Sequence, residues 1–302
     1  MLVYLDGTKL SDPSQLRKDS DNVLCLAEKS DEEALLPMLF PSHSKAGNKS
    51  EAGNYFESHA GYDYVAIKIP HVTGLSASSG AVEIYFSAGK LVFLFNQTKM
   101  MNDFISSIND NPDQIDSLEI VLYHFFVRLT SADSGKLEAI EKEILHMEDS
   151  LSGNTEKDYY SAINSLRKRL FTLKRYYEAL VDLLEDLEEN RNNIFSKDAL
   201  NLFHFHANRV DRLYHEVLNL RDYVTQVRDA YQSQTDITLN KTMRFFTVIA
   251  TICLPLTLVA GWYGMNMRMP EYDYEYSYPI IIVISAAIVI ISVIYFKKKK
   301  WF

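Results

Sequence analysis

Phe245-Phe246-Thr247-Val248-Ile249-Ala250-Thr251-Ile252-Cys253-Leu254-Pro255-Leu256-Thr257-Leu258-Val259-Ala260-Gly261-Trp262-Tyr263 is a run of nineteen residues without a charge. A second uncharged run of eighteen, Pro279 to Phe296, follows and ends in Lys297-Lys298-Lys299-Lys300. A hydrocarbon core about 30 Å thick takes ~20 residues of helix to cross, so each run suffices for one span. Arg244 precedes the first run and four lysines follow the second, whereas the loop 267–278 sets Arg268 against Glu271, Asp273 and Glu275. Excess Lys and Arg marks the cytoplasmic side, so both ends of the pair are expected there. Tyr263, Tyr272, Tyr274, Tyr276 and Tyr278 suit one membrane interface, and Trp301 the other. The expectation is a multi-pass protein of the cell (inner) membrane with the lipid bilayer as a partner, spans near 245–264 and 279–296, and a basic cytosolic tail, 297–302.

About 240 residues of ordinary globular composition come first, enough for one or two domains. The 302-residue chain has a formal net charge of -9, which argues against a nucleic-acid partner. Its two cysteines, Cys25 and Cys253, cannot frame a secreted disulfide fold. Met1-Leu2-Val3-Tyr4-Leu5-Asp6 has no basic segment leading into a long apolar one, so no signal peptide is expected and the N-terminal mass is assigned to the cytosol.

Residues 1–114 read as a cytosolic α/β domain. Leu2–Asp6, Asn22–Ala27 and Tyr62–Pro70 have strand patterns. Glu83–Phe86 and Leu91–Phe95 flank Ser87-Ala88-Gly89-Lys90 as a hairpin around a glycine turn. Asp31–Phe40 is a short helix candidate ending before Pro41, and 42–54 is a polar loop. No phosphate cradle, nucleophile elbow or enzyme-type metal cluster is present, so a non-enzyme is expected.

From Pro112 the texture becomes helical: no proline recurs before Pro255. Ile163, Leu166, Leu170, Leu173, Tyr177, Leu180, Leu184 and Leu187 alternate at spacings of three and four, as do Val210, Leu213, Val217, Leu220, Val224, Val227 and Tyr231. Both are coiled-coil seams. They predict a helical hairpin over 115–195, with arms 115–151 and 155–190. A long stalk helix over 196–264 then begins at the capping residue Ser196 and runs through the first span. At 1.5 Å per residue this rod would be ~100 Å long.

Asn240, Met243, Phe246, Ala250, Leu254, Thr257 and Gly261 form one stripe along the first span. Small residues there suit helix packing, and the same stripe can line a pore in a symmetric bundle. On residue type alone the packing face is the simpler reading.

The last 65 or so residues strongly resemble the CorA family of magnesium channels. The resemblance is carried by Asn240-Lys241-Thr242-Met243, Ile249-Ala250-Thr251-Ile252, Leu254-Pro255-Leu256-Thr257, Ala260-Gly261, Tyr263-Gly264-Met265-Asn266-Met267, Met269-Pro270-Glu271 and Tyr295-Phe296-Lys297-Lys298-Lys299-Lys300-Trp301. The α/β-then-helix order extends it more loosely to the whole chain. It implies an α+β fold in a funnel-shaped homopentamer that carries Mg²⁺ inward, with Co²⁺ and Ni²⁺ as further substrates. Gly264, Met265 and Asn266 would form the selectivity filter. Asn266 would hold the ion through its water shell, and the stripe from Asn240 to Gly261 would line the pore. Glu271, Asp273 and Glu275 would attract cations outside, and Asp229 would form an inner ion-attracting ring.

Mg²⁺ is also the expected regulatory ligand. Asp182, Glu185, Asp186, Glu188 and Glu189, with Glu138, Glu141, Glu143, Glu148 and Asp149, make the hairpin acidic. Fivefold crowding near Lys297–Lys300 would let bound Mg²⁺ favour a closed packing. In some relatives an acidic residue early in the long helix helps hold this ion, and here the position falls at Phe205, between His204 and His206. Those histidines are expected at a surface or interface. Two rivals stand beside the magnesium reading: a zinc transporter of the related branch, and a membrane-anchored coiled-coil scaffold that conducts nothing.

Overall fold

A computed structural model describes residues 2–5, 8–9, 22–40, 54–70, 80–109, 117–150, 156–265, 270, 275–299 and 301. The chain divides into two units, Met1–Val227 and Arg228–Phe302.

The first unit is built on a sheet that has seven strands among the described residues, in the order β2-β1-β3-β7-β6-β5-β4. These are β1 Leu2–Leu5, β2 Thr8–Lys9, β3 Val23–Glu28, β4 Tyr55–His59, β5 Tyr62–Ile69, β6 Gly80–Ser87 and β7 Lys90–Phe95. Only β3 and β7 pair parallel, at the centre; the other neighbours are antiparallel. The period of two explains why these strands are apolar throughout. Leu24, Leu26, Phe93, Phe95, Val82 and Ile84 face one core, while Val23, Cys25, Ala27, Val92 and Leu94 face another. Burial pushes the Cys25 thiol up to about 12, so it is an inert core residue. The β6–β7 turn is two residues long, with Gly89 at φ 85°, a backbone region that disfavours a side chain.

One sheet face carries α1 (Glu32–Leu39), through Leu35, Leu36 and Leu39. The other shares its core with α2 (Thr98–Asn109), α3 (Leu118–Thr130), α4 (Asp133–Asp149), α5 (Glu156–Glu188) and the start of α6 (Lys197–Tyr263). All eight seam residues from Ile163 to Leu187 are buried, as are Val210 to Val227 of the second seam. Fully burying one such side chain contributes about 1.5–3 kcal/mol. The second unit holds the rest of α6 and α7 (Ser277–Lys298).

Three elements depart from the sequence reading. A half-buried edge strand, β4, occupies Tyr55–His59, and α2 buries Met101, Phe104 and Ile108 at helical spacing. The first arm of the hairpin is two helices, because the chain turns at Ser131-Ala132 before α4 begins at Asp133. Asp133 is buried and pairs with Lys136 at 2.6 Å, and burial followed by the Asp133 charge raises the pKa of the Tyr177 hydroxyl on α5, which places that turn close to the next helix. Much of the 42–54 loop, and Pro41 before it, lie outside the described residues.

The α5–α6 connection is pinned to the sheet by side chains. Asn190 and Asn193 adopt left-handed backbone, φ 47° and 52°, which asparagine tolerates. Asn190 exchanges hydrogen bonds with the Phe195 backbone, at 3.0 and 3.1 Å. Ser196 caps α6 by accepting from the Ala199 N–H at 3.3 Å, and its hydroxyl donates to Glu119 at 2.6 Å. The Asn192 amide nitrogen lies 3.0 Å from Ser58 Oγ, 2.8 Å from the His59 carbonyl and 2.7 Å from Asp63 Oδ1. It thereby satisfies a buried carboxylate at the β4–β5 turn.

Candidate functional site

Helices α6 and α7 are the two helices, among the described residues, long and apolar enough to cross a membrane, and only 6% of the most apolar stretch of each is buried in the single chain. Val248 and Phe296 are the buried exceptions among the described apolar residues of this unit. Every stripe residue, Asn240, Met243, Phe246, Ala250, Leu254, Thr257 and Gly261, is exposed, with Met243, Phe246 and Leu254 at 65%, 60% and 68%. Their neighbours around the helix are similarly exposed, so exposure does not single out the stripe; residue type at helical spacing does. The threonine hydroxyls in the span are satisfied inside the helix. Thr247, Thr251 and Thr257 each donate to the carbonyl four residues back, at 2.8, 2.8 and 2.9 Å, as a hydrocarbon environment demands.

The helix ends at Tyr263, and Gly264 turns the chain. Its N–H donates to the Ala260 carbonyl at 2.9 Å. A Cβ at Gly264 would stand 2.9 Å from that same oxygen. Backbone oxygen cannot swing aside as a flexible side chain can, so glycine is demanded here by the chain itself. Gly261 differs: an added Cβ there would meet nothing within 4 Å. Met265 is exposed and its N–H points at the Trp262 carbonyl, 3.4 Å away. Asn266, Glu271 and Asp273 lie outside the described residues, while Glu275 sits exposed in the turn before α7. At the far end of α7, Lys297 and Lys298 occupy the last turn, where cations favour the helix C-terminus. Lys299 lies 5.3 Å over the Tyr295 ring, and Trp301 packs on Phe296.

Asp229 is exposed and accepts from Arg228, at 3.0 Å from Nε and 2.7 Å from Nη2. An ion drawn to Asp229 must therefore compete with its neighbour, a partner legible in the sequence as the adjacent opposite charge. Among the described residues no three His, Cys, Asp or Glu side chains converge as a metal cluster within one chain. Phe205 is 70% exposed. His204 is exposed and lies 3.0 Å from Glu188. His206 corrects the surface-or-interface expectation for both histidines. It is buried at 3% exposure, edge-on to Tyr123, with burial and the nearby Arg209 charge lowering its pKa to about 4. Two residues along a helix is a 200° rotation, which sends one histidine to solvent and the other into the core.

A mixed sheet with a helical layer, followed by two helices of membrane-spanning length and composition, defines an α+β architecture suited to an integral membrane protein. The chain belongs to the CorA-like Mg2+ transporter protein family, whose pattern it matches over residues 27–298. This is a family of transporters, not enzymes. The chain is 32% identical over 166 residues to a cobalt/magnesium transport protein CorA of Thermotoga maritima, covering 55% of this chain and 47% of that protein. It is 29% identical over 225 residues to a magnesium transport protein CorA of Campylobacter jejuni, covering 68% of this chain and 64% of the relative. These matches thus span about half to two-thirds of the relatives' lengths. The structure of the CorA magnesium transporter from Methanocaldococcus jannaschii superposes with a TM-score of 0.79 at 20% identity, covering 97% of this chain and 95% of that one. At that identity the likeness concerns the fold.

Proposed function

We propose that copies of this chain assemble, as a homopentamer, around an axis lined by the α6 stripe, and conduct hydrated Mg²⁺ into the cell. The observation that carries this reading is the family match. It runs from residue 27 to 298 and so takes in both apolar helices and the Tyr263–Asn266 segment. Relatives described as cobalt/magnesium transport proteins support Mg²⁺ as substrate and Co²⁺ as a second one. Residues 1–114, the hairpin 115–195 and the basic tail 297–302 belong, on this reading, to the cytosolic side.

The physical logic is that of a hydrated ion. Mg²⁺ dehydrates reluctantly and keeps an octahedral shell. A ring of Asn266 amide oxygens accepts hydrogen bonds from the ion's waters without stripping them. A ring of carboxylates would hold the ion longer, and conduction needs exit as well as entry. Glu271, Asp273 and Glu275 raise the cation concentration at the mouth, an effect that salt screens. Met243, Phe246 and Leu254 supply apolar constrictions that gate by wetting, with Asn240 and Thr257 as polar rings between them. Asp229 attracts the ion at the inner end once Arg228 is displaced. Bound Mg²⁺ among the acidic hairpin residues of adjacent copies favours the closed packing.

Divalent flux into liposomes containing the purified protein tests this reading. Asn266→Ala is expected to abolish Mg²⁺ uptake, or make it unselective, while the assembled particle survives. Wild-type rates and selectivity in that variant would sink the filter assignment.

A further inference from the structure

Two exposed stripes on neighbouring helices of the first unit are charged oppositely, and each is centred on a solvent-facing apolar side chain. On α4, Leu145 is 45% exposed. Glu141 lies one turn before it and Asp149 one turn after, both exposed. On α5, Phe171 is 54% exposed. Arg167 lies one turn before it and Arg175 one turn after, also exposed, with Lys168 beside them. At spacings of four, each trio shares one helix face.

Ion pairs within the chain leave the charged members of both stripes aside among the described residues, although Lys142, paired with Glu138 at 2.6 Å, also feels the Glu141 charge. Among the described residues, Arg167, Lys168 and Arg175 make no ion pair, and neither do Glu141 and Asp149. The basic residue that does pair across the two helices is Arg169, 2.7 Å from Glu143. That bond fixes the relative height of the helices. Leu145 and Phe171 each lie two residues beyond it, so the two stripes sit within roughly one helical turn of each other in height. Glu141 also acts on its own surroundings: burial, and then the Glu141 charge, hold Glu216 above the usual carboxylate range. Among the described residues, Glu141 and Asp149 on α4 and Arg167, Lys168 and Arg175 on α5 are thus the exposed charges left without an ion-pair partner on these two faces.

We infer that these stripes are the two halves of one contact between copies of this chain, with the Arg167–Phe171–Arg175 face of one copy seated on the Glu141–Leu145–Asp149 face of the next. The faces differ, so the contact is heterologous. Such a head-to-tail contact closes into a ring when the operation that repeats it is a pure rotation. Opposite charge fixes the register and disfavours like-face pairing, while Leu145 and Phe171 provide apolar surface to bury. The inference rests on the proposed ring-like assembly, and it locates a contact outside the membrane-spanning helices.

Cross-linking between two co-expressed, differently tagged full-length copies tests it. One copy carries Leu145→Cys and the other Phe171→Cys, both with Cys253→Ser; the buried Cys25 is retained. Oxidation is expected to give a dimer bearing both tags, and neither variant alone is expected to cross-link. Adding Arg167→Glu and Arg175→Glu to the second copy should cut the mixed dimer about fivefold, the worth of two exposed ion pairs. Adding Glu141→Arg and Asp149→Arg to the first should restore it. Particle mass by light scattering and Mg²⁺ uptake are measured on the same preparations. An oligomer that conducts Mg²⁺ but gives no mixed dimer overturns this contact and leaves the channel reading standing. Cross-linking of Phe171→Cys alone overturns it in favour of a two-fold face, and a monomeric particle overturns both readings.

Discussion

Gly261 and Gly264, one turn apart, should differ in how their stability responds to the same added methyl group. At Gly264 the new Cβ would fall 2.9 Å from the Ala260 carbonyl oxygen, half an ångström inside the 3.4 Å of ordinary contact. That oxygen also accepts the Gly264 N–H at 2.9 Å. Relieving the clash therefore means loosening the last hydrogen bond of α6, worth about 1 kcal/mol. If that strain falls on the conducting arrangement two residues short of Asn266, its population drops about fivefold. At Gly261 nothing lies within 4 Å of the added carbon. Inside the chain, Gly261→Ala should stabilise the helix by about 0.8–1.0 kcal/mol. The assay is Mg²⁺ uptake by proteoliposomes beside thermal unfolding in detergent. Gly264→Ala is expected to lose about four-fifths of uptake with a small fall in Tm. Gly261→Ala is expected to keep or raise Tm and still lose uptake, because five methyl groups would narrow the proposed pore. Wild-type uptake and Tm in Gly264→Ala would refute the clash argument. Wild-type uptake in Gly261→Ala would remove Gly261 from the pore wall.

Two further outcomes concern the first unit. Asn192→Ala leaves the buried Asp63 carboxylate with the Ser58 hydroxyl, 2.6 Å away, after losing the amide at 2.7 Å. The expected cost is about 1.5–3 kcal/mol, read as a lowered Tm of the full-length protein. His206 stays neutral in the folded state down to a pKa of about 4, while in the unfolded chain it titrates near its ordinary 6.5. Its contribution is fully present above pH 6.5 and is lost as pH falls towards 4, because the unfolded chain takes up the proton first. The loss is at most about 3 kcal/mol. Unfolding midpoints between pH 7 and 4 should therefore be flatter in His206→Gln than in wild type, and parallel curves would show that His206 does not titrate in this way.

Legibility followed the strength of each local pattern. Seam residues such as Leu166 and Val217 announced themselves because a long helix repeats its apolar face many times, and each repeat is independent support. The edge strand β4 did not. All five of its residues are half-buried, so Tyr55-Phe56-Glu57-Ser58-His59 shows no alternation. Helix α2 carried a readable signal in Met101, Phe104 and Ile108, spaced by three and four, but it is a single short amphipathic segment. The break at Ser131-Ala132 was hidden because neither residue is a strong breaker. Asp133 is buried there, close enough to Tyr177 of another helix for its charge to act on that hydroxyl, a proximity invisible along the chain. For the candidate site, residue identity and spacing gave the stripe and the glycine-containing turn, and the Arg228–Asp229 pair stands in adjacent positions, while the burial of His206 emerged from packing.

The sequence by itself determined that two uncharged helices close this chain, that a long seamed helix leads into the first of them, and that a glycine follows its end. Hydrocarbon thickness and helical period act on consecutive residues, so they can be read from consecutive residues. Only the tertiary structure decided that Gly264 is required by its own backbone whereas Gly261 is not, and that His204 faces solvent whereas His206 faces the core. It also decided that Asn192 secures a carboxylate 129 positions away. The first depends on the backbone path at the helix end and the others on which atoms meet across the fold, and no periodicity along the chain encodes either.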